Sequence, residues 1–480
     1  MPSALLELVS RGSEDNFITG NPQFSHFYKI HRHHTRFSHE IIPIQWDGTA
    51  DFGQILTTKI PHKGDLVGAI FVRFVVPAIP QSPDIIDLSE RNLPLNEFYS
   101  DYTKICYTNS LGNALIDEIS VEIGDQTIDR VTGMWLDIWS NYFIPEEKRS
   151  VYNTMVAKFP FVPGFAPFLN QPSYLQSAGG IGQDIFFLDG ENCELFVPVP
   201  FWFCGEYENA FPLIALQGQD MRVRMKVRPF VETMFKCFQP LFETNIFTNV
   251  HELHLKEAEL YVTYYHLDND ERRQFALNTR EYVIEDHQIM MNYNIPPEHT
   301  NIKFKLPLNR PIKDLYWVIQ RSEAKEFNDW FNYTNKVLDE KGTPTHIMER
   351  AQLNLNGVGR FWEPLDNRYL MYAKPYRAHR YIPGIDRNGF LYNYLFCIDP
   401  NALQHNGSMN ATSFTEVVLD LTLYNVDQYM GFTEKILAGE LVTEEFPRIN
   451  PSKLPTVLHV FARSYNVLRI YNGCATLRYK

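Results

Sequence analysis

The chain has 480 residues and a mass of 56.1 kDa, too long for one core at the usual scale of about 150 residues per domain. Hydrophobic residues at 44% and charged residues at 21% exclude a disordered chain, and an aromatic share of 14% favours sheets and buried interfaces over a helical bundle. A formal net charge of −13 excludes a protein that wraps duplex nucleic acid with its general surface, so no direct nucleic-acid partner is expected.

Residues 1–17 read as an arm. Leu5, Leu6, Leu8 and Val9 give one apolar turn of helix before Gly12, Ser13 and Glu14 interrupt it. No basic stretch precedes that apolar run, so no signal peptide is expected. The most apolar stretch, residues 66–80, is too short for a membrane span and is split by Arg73.

From Gly20 onward the chain reads mostly as strands. Residues 66–76 form a nearly continuous Val/Ile/Phe run, suited to a strand buried on both faces. Ile119, Val121 and Ile123 alternate with Ser120 and Glu122 and meet a turn at Gly124-Asp125. The spacing of Trp135 and Trp139 predicts a helix over 132–143, ended by Pro145, with a second over 146–157. Residues 159–184 are rich in Pro and Gly and read as a long loop, as do residues 322–346. Val223, Met225 and Val227 alternate strictly with Arg222, Arg224, Lys226 and Arg228, whose basic face is expected to pair with acidic neighbours. Residues 259–267 continue the strand pattern.

The two halves echo each other. PHKGDLVGAIFVRF, ISVEIGD, LFVPVPFWF and MRVRMKV run in the same order as LNRPIKDLYWVIQ, AQLNLNGVG, LFCIDP and VVLDLTLYN. This order fits two similar all-β domains in tandem, joined near residues 230–250.

Motifs that carry chemistry are sparse. His31 and His33 would share a strand face, with Glu40 as a third metal ligand, but no second ligand group stands out, and a polar strand or turn near a subunit contact accounts for them. His251 and His254 are three apart, not the four that a metalloprotease helix needs. Asp268-Asn269-Asp270-Glu271 lacks the Gly and distal Glu of a calcium loop. No P-loop, nucleophile elbow or dinucleotide fingerprint is present. The expectation is therefore a non-enzyme with no catalytic residue, metal or cofactor. The six cysteines are scattered, with no CxxC pair, and read as reduced thiols. Three sequons mark Asn332, Asn406 and Asn410 as candidate glycosylation positions, although no signal peptide routes the chain to the lumenal enzymes.

Six stretches taken together resemble the major capsid proteins of the nucleocytoplasmic large DNA viruses. They are residues 20–37 (with Gly20, Pro22, Phe27, Arg32, His34, Thr35 and Phe37), 116–143, 194–227, 351–370, 407–423 and 460–479. The resemblance implies an all-β double jelly roll, two tandem eight-stranded rolls with short helical and long loop insertions. The divisions expected are 1–17 for the arm, 18–235 for the first roll and 236–480 for the second. It further implies a structural protein of the virion, assembled in the host cytoplasm. Its expected partners are two further copies in a homotrimer, neighbouring capsomers, minor capsid or penton proteins, and an internal viral membrane. The competing reading is a jelly-roll carbohydrate-binding protein or glycoside hydrolase, whose carboxylate pair need not be close in sequence.

Overall fold

The computed structural model describes residues 3–10, 12–13, 15–29, 31–77, 107–158, 193–234, 253–326, 328–335, 346–380, 390–402, 404–424 and 455–479. The expected loop at 159–184 lies outside the described residues, as do 336–345 of the expected loop at 322–346.

Among the described residues the first half contributes β1 (Phe37–Gln45), β2 (Ile55–Lys59), β3 (Leu66–Val76), β4 (Ile116–Ile123), β5 (Gln126–Thr132), β6 (Cys193–Pro198), β7 (Met221–Val227) and β8 (Glu257–Leu267). They form two antiparallel sheets in the orders β1-β8-β3-β6 and β2-β7-β4-β5. The second half contributes β9 (Arg280–Ile295), β10 (Asn301–Lys305), β11 (Pro311–Arg321), β12 (Met348–Leu355), β13 (Val358–Gly359), β14 (Leu365–Asp366), β15 (Tyr392–Leu395), β16 (Met409–Asn410), β17 (Val417–Leu423), β18 (Thr456–Tyr471) and β19 (Cys474–Leu477). Its sheets run β9-β18-β11-β15 and β10-β17-β12-β13, with β19 pairing β18, β16 pairing β11 and β14 pairing β12. Strand for strand this is the same topology twice, a double jelly roll. The echo in the sequence falls on equivalent strands: β3 with β11, β4 with β12, β6 with β15 and β7 with β17.

The pairing of β8 bears on the expected division at 235/236. Glu257–Leu267 pairs with β1 on one side and β3 on the other, inside the first roll's sheet. Local alternation identifies such a strand but not its partners, which lie about 200 residues earlier.

Alternation and burial agree closely. β7 shows a strict buried/exposed period, with Met221, Val223, Met225 and Val227 inside. β3 is buried along most of both faces; its one charge, Arg73, is held at the surface by Glu194, Glu257 and Glu259. The turn after β4 is made by Gly124 at φ 61°, a left-handed backbone that glycine adopts without strain. In the Pro-Phe-Trp-Phe segment Phe201 and Phe203 are core residues, while Trp202 is half-buried at the rim.

The expected helix is present as Gly133–Phe143. Thr132 caps it, its Oγ1 accepting from the Trp135 amide at 3.4 Å. Glycine is required at 133, where a Cβ would stand 2.2 Å from the Asn113 carbonyl oxygen and 2.5 Å from that of Ile116. Pro145 then opens the second helix, Glu146–Met155. The arm carries the expected helical turn as Ser3–Val9 and a second at Asp15–Thr19, but the exposed stretch continues well beyond residue 17, up to β1.

Candidate functional site

The most elaborately built feature among the described residues is the junction between the two rolls. The Gly133–Phe143 helix leaves β5 and lies across the outer face of the second roll's β9-β18-β11 sheet. The ring of Trp135, fully buried, stands 5.0 Å from His287 on β9, 5.4 Å from Tyr316 on β11 and 5.7 Å from Phe461 on β18. Tyr142 packs 4.8 Å from His379 and donates its hydroxyl to the Leu391 carbonyl at 3.0 Å. The Arg463 guanidinium sits 4.3 Å over the Phe143 ring.

Polar contacts fix the register of this junction. Asp129 accepts the His287 amide at 3.1 Å and faces the ring Nδ1 at 2.9 Å, so a carboxylate occupies part of the exposed edge of β9. The Gly218 amide donates to the Gly473 carbonyl at 3.0 Å, and Gln219 Oε1 accepts the Ala475 amide at 2.8 Å. Asn328 donates to the carbonyls of Val231 and Met234, each at 2.7 Å, and Arg228 stacks 3.8 Å over Trp330.

Beneath the helix lies a buried ion network. Arg463 donates to Asp314 and reaches Glu285 at 3.1 Å; Lys313 pairs with Glu285, and Arg310 and Ser464 bind Asp286. Burial works against the Arg463 charge, but Asp314 and Glu285 hold its pKa well above the usual value. Burial pushes the Asp286 carboxyl up, with Arg310 and Ser464 opposing. Three histidines of this roll, His379 and His459 buried and His346 half-buried, are held neutral by desolvation. Burial lowers His379 to about 3 and His346 and His459 to about 4.

The residues singled out in the sequence are not brought together. His31, His33 and His34 lie on the exposed arm, while Glu40 binds His266 on β8 at 2.9 Å. Among the described residues no group of three His, Cys, Asp or Glu side chains is placed to hold a metal ion. His254 faces Asp51 at 2.5 Å, and Asp268 caps the helix Asn269–Leu277. The strand-face cations pair as expected at Lys226, 2.6 Å from Asp117. A cavity of about 560 Å³ opens beside Trp46, Asp51 and His254. Its carboxylates are engaged, Glu257 and Glu259 with Arg73, and Asp51 with His254 and the amides of Phe52 and Leu255.

The three sequon asparagines have different surroundings. Asn332 is 0% exposed; it donates to Asp329 and its oxygen accepts from the Thr334 amide and hydroxyl. A glycan cannot be accommodated there in the folded chain. Asn406 is half-buried and clips the 398–399 backbone through both ends of its amide. Asn410 is exposed and caps the turn Ala411–Ser413. Cys193, Cys204, Cys397 and Cys474 are free thiols, and burial pushes the first to about 11 and the next two to about 12. Cys106 and Cys237 lie outside the described residues.

Residues 25–268 match the family described as "Major capsid protein N-terminus", and residues 271–476 match "Large eukaryotic DNA virus major capsid protein". The chain belongs to this capsid-protein family. It is 27% identical to the major capsid protein of Phaeocystis pouchetii virus and 26% identical to that of Pyramimonas orientalis virus, in each case over 100% of both chains. Its fold is similar to that of PBCV-1 VP54, with a TM-score of 0.67 at 22% identity over 95% of this chain and 100% of the other. The Faustovirus major capsid protein is also similar, at a TM-score of 0.65 and 12% identity, covering 96% of this chain and 95% of that one. These capsid-protein relatives are structural proteins, and the most developed region among the described residues is the interface between the two rolls. The local patterns found the strands and the helix of that interface. They missed Asp129, Lys313, Asp314 and Arg463, whose roles depend on the other roll lying over them.

Proposed function

We propose that this chain is a structural major capsid protein without catalytic activity. Three copies associate into a capsomer of pseudo-hexagonal outline, and capsomers tile an icosahedral shell around an internal membrane. The observation that carries the reading is the locking of two equivalent rolls into one body. A three-fold ring of such bodies presents six similar rolls, and a rigid joint between the two rolls fixes its angles. The aromatic and Arg-bearing surfaces suit permanent contacts within the trimer, while contacts between neighbouring capsomers would be smaller and more polar.

The chain divides, on this reading, at the helix Asn269–Leu277, with β8 completing the first roll and β9 opening the second. The exposed arm, which shows Leu5, Leu8, Phe24 and a 100% exposed Phe27, reaches minor capsid or penton proteins or the membrane. No direct nucleic-acid contact, metal or cofactor is part of the proposal. The protein resides in the virion and assembles in the host cytoplasm. Asn410 is the sequon best placed to carry a glycan.

The test is the native mass of the purified chain by light scattering, followed by negative-stain imaging. The expected result is three times 56.1 kDa with a hexagonal outline. A monomer that binds or cleaves glycans would overturn it.

A further inference from the structure

The rolls repeat one topology, yet among the described residues only one of two equivalent faces is covered within the chain. The Gly133–Phe143 helix, which follows β5, covers the β9-β18-β11 sheet of the second roll. The equivalent segment of the second roll follows the edge strand β13. Residues 360–364 loop out between the Asn354/Gly359 and Ala351/Leu365 pairs, and the helical turns Tyr369–Ala373 and Lys374–Ala378 come next.

This segment is dressed as a contact surface. Trp362 is 99% exposed, and Tyr369 and Tyr376 are exposed beside it in sequence. Phe361 packs 4.9 Å from Tyr394, and the Lys374 ammonium lies 5.0 Å over the same ring, so the loop and the helical turns form one continuous surface. Arg360, Arg368, Lys374 and Arg377 form no ion pair with a described carboxylate. The cations crowd one another: besides burial, Arg377 and Arg360 depress the pKa of Lys374. Exposed Trp, Tyr and Arg together are the composition of interface centres. Four cations against the two exposed carboxylates of Glu363 and Asp366 leave the segment net positive, which on a chain of net charge −13 calls for an acidic partner.

The chain carries such a partner on the first roll, at the face equivalent to the covered one. Strand alternation places Phe71, Phe196 and Tyr261 on the outer side of the β1-β8-β3-β6 sheet, half-exposed, with Ile41 exposed at the edge strand. Around them stand Glu194, Glu257 and Glu259, three carboxylates against the single cation of Arg73.

We propose that the 360–378 segment of one copy docks on the outer β1-β8-β3-β6 face of a second copy. The contact would repeat between chains what the Gly133–Phe143 helix does within one. It is head-to-tail, so it closes into a ring when the rotation is three-fold. It rests on the trimer reading above and assigns the two surfaces that make the trimer.

The experiment compares native mass for the full wild-type chain, Trp362→Ala, the double variant Arg360→Glu/Arg377→Glu, and that double combined with Glu194→Lys/Glu257→Lys. Thermal unfolding of each controls for folding. The first two variants should dissociate to single chains at concentrations at least ten-fold above those where the wild type stays assembled, with unchanged melting. The four-fold charge exchange should restore assembly. A wild-type monomer would defeat the trimer reading, and this inference with it. A wild-type trimer that survives both Trp362→Ala and the charge-reversal double would defeat the inference alone. Failure of the exchange to restore assembly would overturn the pairing of these two faces. Loss of binding to phosphatidylserine vesicles with the trimer intact would assign the cations to a lipid surface and also overturn it.

Discussion

β3 and β11 occupy the same place in their rolls, and each is 11 residues long, yet they solve different problems. On β3 the outward cation Arg73 lies near solvent among three glutamates, two of them more than half exposed. On β11 Lys313 and Asp314 are buried in the ion network beneath the other roll's helix, while Arg321 is buried against its own roll, donating to the Thr334 carbonyl at 2.9 Å. One topology thus yields an open face and a closed one. The difference comes from what covers each sheet, not from the strand order. Charge that is cheap on the open face must be fully paired on the closed one.

The largest effect expected is that of Trp135→Ala. It removes a fully buried indole that touches three strands of the other roll, a loss at the upper end of roughly 3–5 kcal/mol. It should also uncouple the rolls. Calorimetry should then resolve two unfolding transitions where the wild type shows one; a single transition shifted as a whole would mean that the polar contacts alone couple them.

Next is Arg463→Met, which strands the fully buried Asp314 without its guanidinium partner, while Glu285 keeps Lys313. About 3–5 kcal/mol should be lost in denaturant unfolding, because the penalty is that of a stranded buried charge. A double change that also makes Asp314→Leu should recover much of this. If it does not, the network does more than neutralise itself.

Acidification separates the rolls in another way. His346, His379 and His459, all in the second roll, have folded pKa values of about 3 to 4, below the ordinary value of about 6.5. Between those limits the unfolded chain binds protons that the folded chain refuses. Stability is therefore full above pH 6.5 and declines as pH falls towards 4. For His346 alone the loss reaches up to about 3 kcal/mol. Among the described residues no histidine of the first roll is buried, so this loss of stability in acid is carried by the second roll and lowers the single coupled transition. Melting curves from pH 7.5 to 4.5 test this, and His346→Gln should flatten the slope; an unchanged slope would remove His346 from the account.

Much of this architecture is legible in the sequence. The alternation in β7, the apolar run of β3 and the Thr132–Trp135–Trp139 pattern specify local structure, because each element buries a face at its own period. The echo between halves reaches as far as topology. What local pattern does not carry is who covers whom. Lys313-Asp314 reads as a polar turn before a strand, and its burial depends on Glu285 and Arg463, distant in sequence, and on the helix that covers Arg463. The aromatic run 201–203 does not by itself show which rings are core; Phe201 and Phe203 are, while Trp202 between them is half-buried. Asn332 fits the glycosylation pattern perfectly well, and its burial depends on contacts with Asp329 and Thr334 that no sequon encodes.

The smallest effect expected is at Arg73, and it is the most discriminating. In an isolated chain two of its three glutamate partners, Glu194 and Glu257, are more than half exposed. Exposed pairs of this kind contribute about 1 kcal/mol or less, even though the network holds the Arg73 pKa above its usual value. Arg73→Met should therefore barely move the melting temperature of dissociated chains. In assembled copies the proposed contact dries this face, and the three glutamates lose their internal cation while gaining those of the neighbour. The substitution should then leave assembly intact or strengthen it, since the incoming Arg360 and Arg377 meet an acidic face no longer shared with Arg73. Weakened assembly, measured as a higher concentration at half-dissociation, would mean that Arg73 itself bridges to the second copy and that the cationic segment docks elsewhere.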